Sequence, residues 1–226
     1  MSEPPSVLTS LPVRTSPWAS QSWLHAKALD TLAELNEQCL ELLCDQAASP
    51  GRARPVLLAG LEALWRGLDT AARRRAARCP FLLLDAGFMG TGSLPWQREP
   101  GVRDLDRPDI PGAFFTVPRT IQVARLVLTY AWHLARSESA AARLFLGMSS
   151  QCAERVAACT LRQVIQVAES EPRLLEPRWP ERLGVWRELL VAAASTEPSA
   201  MDRFRMRGLQ LLAAQALGAA GDRLNM

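Results

Sequence analysis

Residues 137–170 read SESAAARLFLGMSSQCAERVAACTLRQVIQVAES and contain three short helical patterns in close succession. Gly147 separates the first two patterns, and Cys159-Thr160 separates the last two. Glycine is common just after a helix, and serine or threonine is common where a helix begins. The spacing predicts helices over residues 140–146, about 150–158 and 161–170. Three short helices joined by tight turns are typical of a helix-turn-helix unit.

Apolar residues at intervals of three and four predict further helices on both sides of this unit. Ile121, Ala124, Leu128 and Ala131 belong to a predicted helix that ends near Arg136. The other predicted helices span residues 20–47, 55–77, 180–194 and 198–219. Because only Ser49-Pro50-Gly51 and a few further residues separate the first two, we expect them to form an antiparallel hairpin.

Composition supports an all-α fold of six to eight helices, with no sheet beyond a short strand pair. The chain has 226 residues, of which 48% are hydrophobic and only 6% aromatic. Leucine and alanine dominate, whereas the residue types that favour strands are scarce. The predicted organisation is a flexible leader (1–19), a helical hairpin (20–78), a Pro/Gly-rich irregular connector (79–117) and a helical unit (118–226). Residues 79–84, CPFLLL, fit a buried connector, a strand or a docking site for a partner.

No catalytic or metal-binding motif stands out. The sequence holds two histidines and one tyrosine, which is a poor supply of acid–base groups for an enzyme. The five cysteines form no CxxC pair and do not lie near a histidine at zinc-ligand spacing, so we expect reduced structural thiols. We predict a cytoplasmic protein that needs no cofactor or metal and has no signal peptide or membrane span.

The last helix of the 137–170 unit carries residue types that can contact DNA. Arg162, Gln163 and Gln166 lie on or near one face, and Arg and Gln recognise guanine and adenine edges. Arg155 and Arg173 are candidates for phosphate contacts. Any small helical unit also has an exposed polar face, and the net charge of the whole chain is only +3. Glu154, Glu169 and Glu171 would in addition repel phosphate, so we expect DNA contact to require a basic partner subunit.

Residues 118–180 resemble the C-terminal half of the FlhD family, one subunit of the bacterial flagellar master regulator. The matching residues are Ala131-Trp132-His133-Leu134, Ser139-Ala140, Leu146-Gly147-Met148, Ala153, Ala157, Thr160-Leu161-Arg162-Gln163 and Ala168-Glu169. The resemblance covers under a third of the chain. It implies an all-α regulator that forms dimers through the helix before the motif, here Ile121, Ala124, Leu128 and Ala131. It also implies a partner subunit, FlhC in that family, which carries the zinc.

Two functions follow as hypotheses. The first is a bacterial transcriptional regulator, flagellar or secretion-related, that acts with partner subunits and contacts DNA through them. The second is a helical adaptor or chaperone-like protein that binds other proteins and keeps only the fold. A basic face over Arg155, Arg162, Arg173 and Arg178 would favour the first, and an apolar groove beside residues 79–117 would favour the second.

Overall fold

Helices make up most of the chain in the computed structural model, which describes residues 17–49, 54–88, 114–115, 117–171 and 174–224. The predicted all-α class is confirmed for these residues. Their only sheet pairs two very short antiparallel strands, with Leu84 opposite Pro177 and Asp85 opposite Glu176. The elements are α1 (Pro17–Ala48), α2 (Val56–Gly60), α3 (Glu62–Arg66), α4 (Thr70–Ala77), β1 (Leu84–Asp85), α5 (Val117–Ser137), α6 (Ser139–Leu146), α7 (Ser150–Ala158), α8 (Leu161–Ser170), β2 (Glu176–Pro177), α9 (Leu183–Ala194) and α10 (Pro198–Leu224).

The prediction of one continuous helix over residues 55–77 is wrong, because three short helices occupy this range. Leu61 leaves helical geometry with φ −125°, which ends α2, and Gly67 ends α3. Asp69 then begins α4 by accepting a hydrogen bond from the Ala72 amide at 2.6 Å. The expected apolar stripe holds through Leu68, but Ala71 is exposed. Three short helices, α2, α3 and α4, therefore pack against α1 where one continuous helix was predicted.

The apolar run of residues 79–84 lies in the middle of the core and is held there by Asn36 of α1. Asn36 is fully buried, and its Nδ2 donates to the carbonyls of Ala77 at 3.1 Å and Phe81 at 3.0 Å. Its Oδ1 accepts from the Leu83 amide at 2.8 Å. Two of the three predicted alternatives for this run, a buried connector and a strand, are both present, since the buried run ends in β1.

Arg178 is also buried, with 2% of its surface exposed, so it does not contribute to the basic face that would favour the regulator hypothesis. Its guanidinium donates to the carbonyls of Leu82 at 2.8 Å, Leu84 at 3.2 Å and Leu146 at 2.7 Å. Burial lowers the pKa of this arginine, although the nearby Asp85 acts in the opposite direction. Arg178 therefore ties the 79–84 run to the end of α6.

The remaining helices close the core around this run. The helix α5 packs against α1, and α4 packs against α9. The long helix α10 approaches so closely at Gly208 that a Cβ there would lie 2.1 Å from the ring of Phe81. The buried apolar side chains from both halves of the chain form one core cluster. Most of the predicted leader and connector, residues 1–16 and 89–113, lie outside the described residues.

Candidate nucleic-acid interface

The helices α6, α7 and α8 all pack against α5, and their ends fall within one residue of the predicted ones. Gly147 ends α6 in the left-handed region at φ 67°, where glycine meets no steric penalty. Ser149 begins α7 by accepting a hydrogen bond from the Cys152 amide at 3.1 Å. Cys159 and Thr160 form the short turn before α8. Local sequence thus fixes three successive helices without a long loop.

A capping box begins α8 and uses the side chain of Gln163. Thr160 Oγ1 accepts from the Gln163 amide at 3.3 Å, while Gln163 Oε1 accepts from the Thr160 amide at 2.8 Å. Recognition of adenine by glutamine needs both its side-chain oxygen and its side-chain nitrogen. Because the oxygen is already engaged, Gln163 has a structural role here that the sequence interpretation missed.

Arg162 and Gln166 form the accessible pair on α8. They lie four residues apart, which places them one above the other on the same face. Both are exposed, and neither makes a hydrogen bond or ion pair with any residue that the structure describes. Val164 and Ala168 are buried on the other side of the helix. The arrangement leaves a planar guanidinium and a complete carboxamide available to a ligand.

The two predicted phosphate contacts have different outcomes. Arg155 is partly buried on α7, and its charge acts on the buried thiol of Cys152. Arg155 also takes part in other interactions within the chain. Arg173 lies outside the described residues. Arg155 is therefore engaged within this chain, and the phosphate contact predicted for Arg173 stays a prediction.

Sequence reasoning missed another arginine, Arg136, which lies near the Cys159-Thr160 turn. Arg136 belongs to the last helical turn of α5. Its guanidinium carbon lies 4.9 Å from the centre of the Trp132 ring. The Trp132 indole in turn donates from Nε1 to the carbonyl of Cys159 at 2.7 Å. The spacing of four residues between Trp132 and Arg136 is the signal that could have found the stack.

Charge is distributed unevenly along α8. Near its C-terminal end, Glu169 forms an ion pair with Arg125 of α5. This pair removes one of the negative charges that would oppose phosphate. At its N-terminal end, Arg162 and the nearby Arg136 have no carboxylate partner among the described residues. The positive potential is therefore expected at the α7–α8 turn.

Most of the predicted dimer residues face this chain's own core. Ala124, Leu128 and Ala131 are buried by neighbouring helices of the same chain, and Ile121 is partly buried. The three buried residues are not available on the surface of this fold. A dimer that keeps the fold would have to use other residues, such as the exposed Leu126 on α5.

The described cysteines have the properties of packed thiols. Burial raises the pKa of Cys79 to about 12 and, with a contribution from Asp85, that of Cys152 to about 12. Both thiols therefore remain protonated at neutral pH. Among the described residues, no cluster of three or more histidine, cysteine, aspartate or glutamate side chains could hold a metal ion.

Comparisons of this chain with protein-family models, with curated proteins and with solved structures gave no match. Within the described ranges, no helix combines the length and apolar character that crossing a membrane requires.

Proposed function

We propose that this protein is a bacterial transcriptional regulator whose α7–α8 unit contacts DNA as part of a complex with a basic partner subunit. The observation that carries the proposal is the exposed, unengaged pair Arg162 and Gln166 on a short helix whose opposite face is buried. Recognition helices insert into the major groove with side chains of this type directed at base edges. The resemblance of residues 118–180 to the FlhD family supports the same assignment.

Charge explains why a partner is required. Residues 117–171 contain six arginines and four glutamates, so this part of the chain has a net charge of only +2. Affinity for DNA depends on the number of phosphates that basic residues neutralise. Ion pairs engage two of these arginines, Arg125 with Glu169 and Arg119 with Asp45 of α1. The isolated protein should therefore bind DNA only weakly and without sequence preference.

The partner and its DNA can be identified together. The full chain, tagged and expressed in its native cells, is captured after cross-linking, and the recovered proteins and DNA are sequenced. We expect one basic protein and a small set of promoter fragments. Recovery of a protein without DNA would instead favour the adaptor hypothesis.

Binding by the reconstituted complex then tests the assignment of residues. Arg162→Ala should reduce affinity by about 1–3 kcal/mol for the recovered promoter and relax preference at one base position. Gln166→Ala should act at a neighbouring position. Arg143→Ala is the matched control, because Arg143 is exposed on α6 and has no partner among the described residues. Equal effects of Arg162→Ala and Arg143→Ala would contradict base contact by α8.

A further inference from the structure

We propose that Arg136, stacked on Trp132, is a second DNA contact that binds a backbone phosphate beside the N-terminal end of α8. The inference rests on the proposed function and adds a residue to it. Arg136 belongs to α5, outside the helix-turn-helix segment itself, and sequence reasoning gave it no role.

The stack holds the guanidinium in a defined place. An arginine above an aromatic ring is attracted by the ring electrons and keeps its N–H groups free at the edge of its plane. The separation of 4.9 Å from the Trp132 ring centre is within the range of this interaction. Because the side chain is already ordered, less conformational entropy is lost when it binds an anion.

Trp132 couples this arginine to the candidate recognition helix. Its indole N–H donates to the carbonyl of Cys159, the residue that ends α7. Arg162 follows Cys159 by three residues, so their backbones lie within about 11 Å of each other. Arg136, through Trp132, and Arg162 are thus both connected to the same short turn, Cys159-Thr160.

Phosphate is the ligand that the stacked guanidinium of Arg136 fits best. A guanidinium presents a fork of N–H donors that matches the oxygens of phosphate. In helix-turn-helix complexes, residues near the start of the recognition helix contact bases while neighbouring elements contact the backbone. Arg136 is placed for the second role when Arg162 performs the first. At the other end of α8, the Arg125–Glu169 ion pair engages the arginine that could have competed for this role.

Salt dependence of binding distinguishes a phosphate contact from a base contact. The full chain is titrated onto a fluorescent duplex of random sequence, and then onto the recovered promoter with the partner present, at several KCl concentrations. For Arg136→Ala we expect the slope of log K against log[salt] to become less steep by about 0.9, and the loss of affinity to be the same for both duplexes. Trp132→Phe, which keeps a ring but removes the N–H donated to Cys159, should give a smaller loss.

The controls separate failure of this inference from failure of the proposed function. Arg143→Ala should leave the slope unchanged, and urea unfolding should show that every variant keeps its fold. If Arg136→Ala behaves like Arg143→Ala while Arg162→Ala still weakens promoter binding, this inference is wrong and the proposed function survives. If the wild-type complex binds neither duplex, both this inference and the proposed function are wrong. Loss of partner capture by Arg136→Ala with unchanged DNA binding would assign Arg136 to a protein contact and also overturn the inference.

Discussion

Removing the side chain of Asn36 should destabilise the fold more than any surface substitution of similar size. Asn36 is fully buried on α1 and makes hydrogen bonds of 3.1 Å or less to three backbone groups more than 40 residues away. No water can replace it without entering the core. In Asn36→Ala, the amide of Leu83 and the carbonyls of Ala77 and Phe81 lose this partner.

The expected magnitude follows from these three bonds. A buried N–H left without an acceptor costs about 1–3 kcal/mol, and each lost bond to a carbonyl costs about 1 kcal/mol. Asn36→Ala should therefore lower the free energy of unfolding by about 3–5 kcal/mol. Since domains have a total stability of about 5–15 kcal/mol, this loss is large enough to measure without ambiguity.

Urea unfolding of the full chain, followed by circular dichroism, measures this loss. Gln38→Ala is the control, because Gln38 lies on the same helix, is partly exposed and has no partner among the described residues; it should change stability by about 0.5 kcal/mol or less. Asn36→Leu keeps the volume of the side chain filled, so that only the hydrogen bonds are lost. If Asn36→Leu is as stable as the wild type, the hydrogen bonds do not hold the 79–84 run and the reasoning is refuted.

Substitutions at three further positions test other local features by urea unfolding. Gly147→Ala should cost about 2 kcal/mol or more, since φ is positive and the new Cβ would lie 2.5 Å from Nη1 of Arg178; a neutral result would contradict this geometry. Burial, Asp85 and Glu181 raise the pKa of Glu176. The contribution of Glu176 to stability therefore falls as the pH rises above the pKa that this residue has in the unfolded chain. Glu176→Gln should therefore be more stable than the wild type at pH 7 and have no effect at pH below about 4, and a stabilisation that does not vary with pH would oppose this. Thr160→Ala should cost about 1 kcal/mol, whereas Thr160→Ser should retain the cap.

Sequence predicted the local features of the fold well. The ends of α6, α7 and α8 depend on Gly147, Ser149 and Thr160, which act through contacts within four residues. Helical spacing likewise identified α5, whose observed bounds exceed the predicted ones by only a few residues. Such features are predictable because the residue type and its neighbours determine them.

Features that depend on distant residues could not be predicted in the same way. Arg178 resembles any surface arginine in sequence, and its burial becomes intelligible only when the carbonyls of Leu82, Leu84 and Leu146 converge on it. The same holds for Asn36, which lies within an otherwise apolar stripe. The breaks in the 55–77 region were missed because Leu61 and Gly67 interrupt the backbone without disturbing the apolar spacing up to Leu68.

The same distant contacts connect the N-terminal half of the chain to the candidate interface. The Leu82 amide donates to the Phe145 carbonyl at 2.8 Å, and Arg178 joins that segment to the end of α6. At the start of α7, the Ser149 amide donates to the carbonyl of Phe88. The turn between α6 and α7 is thus held from both sides by the segment that α1 anchors through Asn36. A side chain can contact a base only if its helix is held in a defined position, so the buried 79–88 segment is part of what would position Arg162 and Gln166.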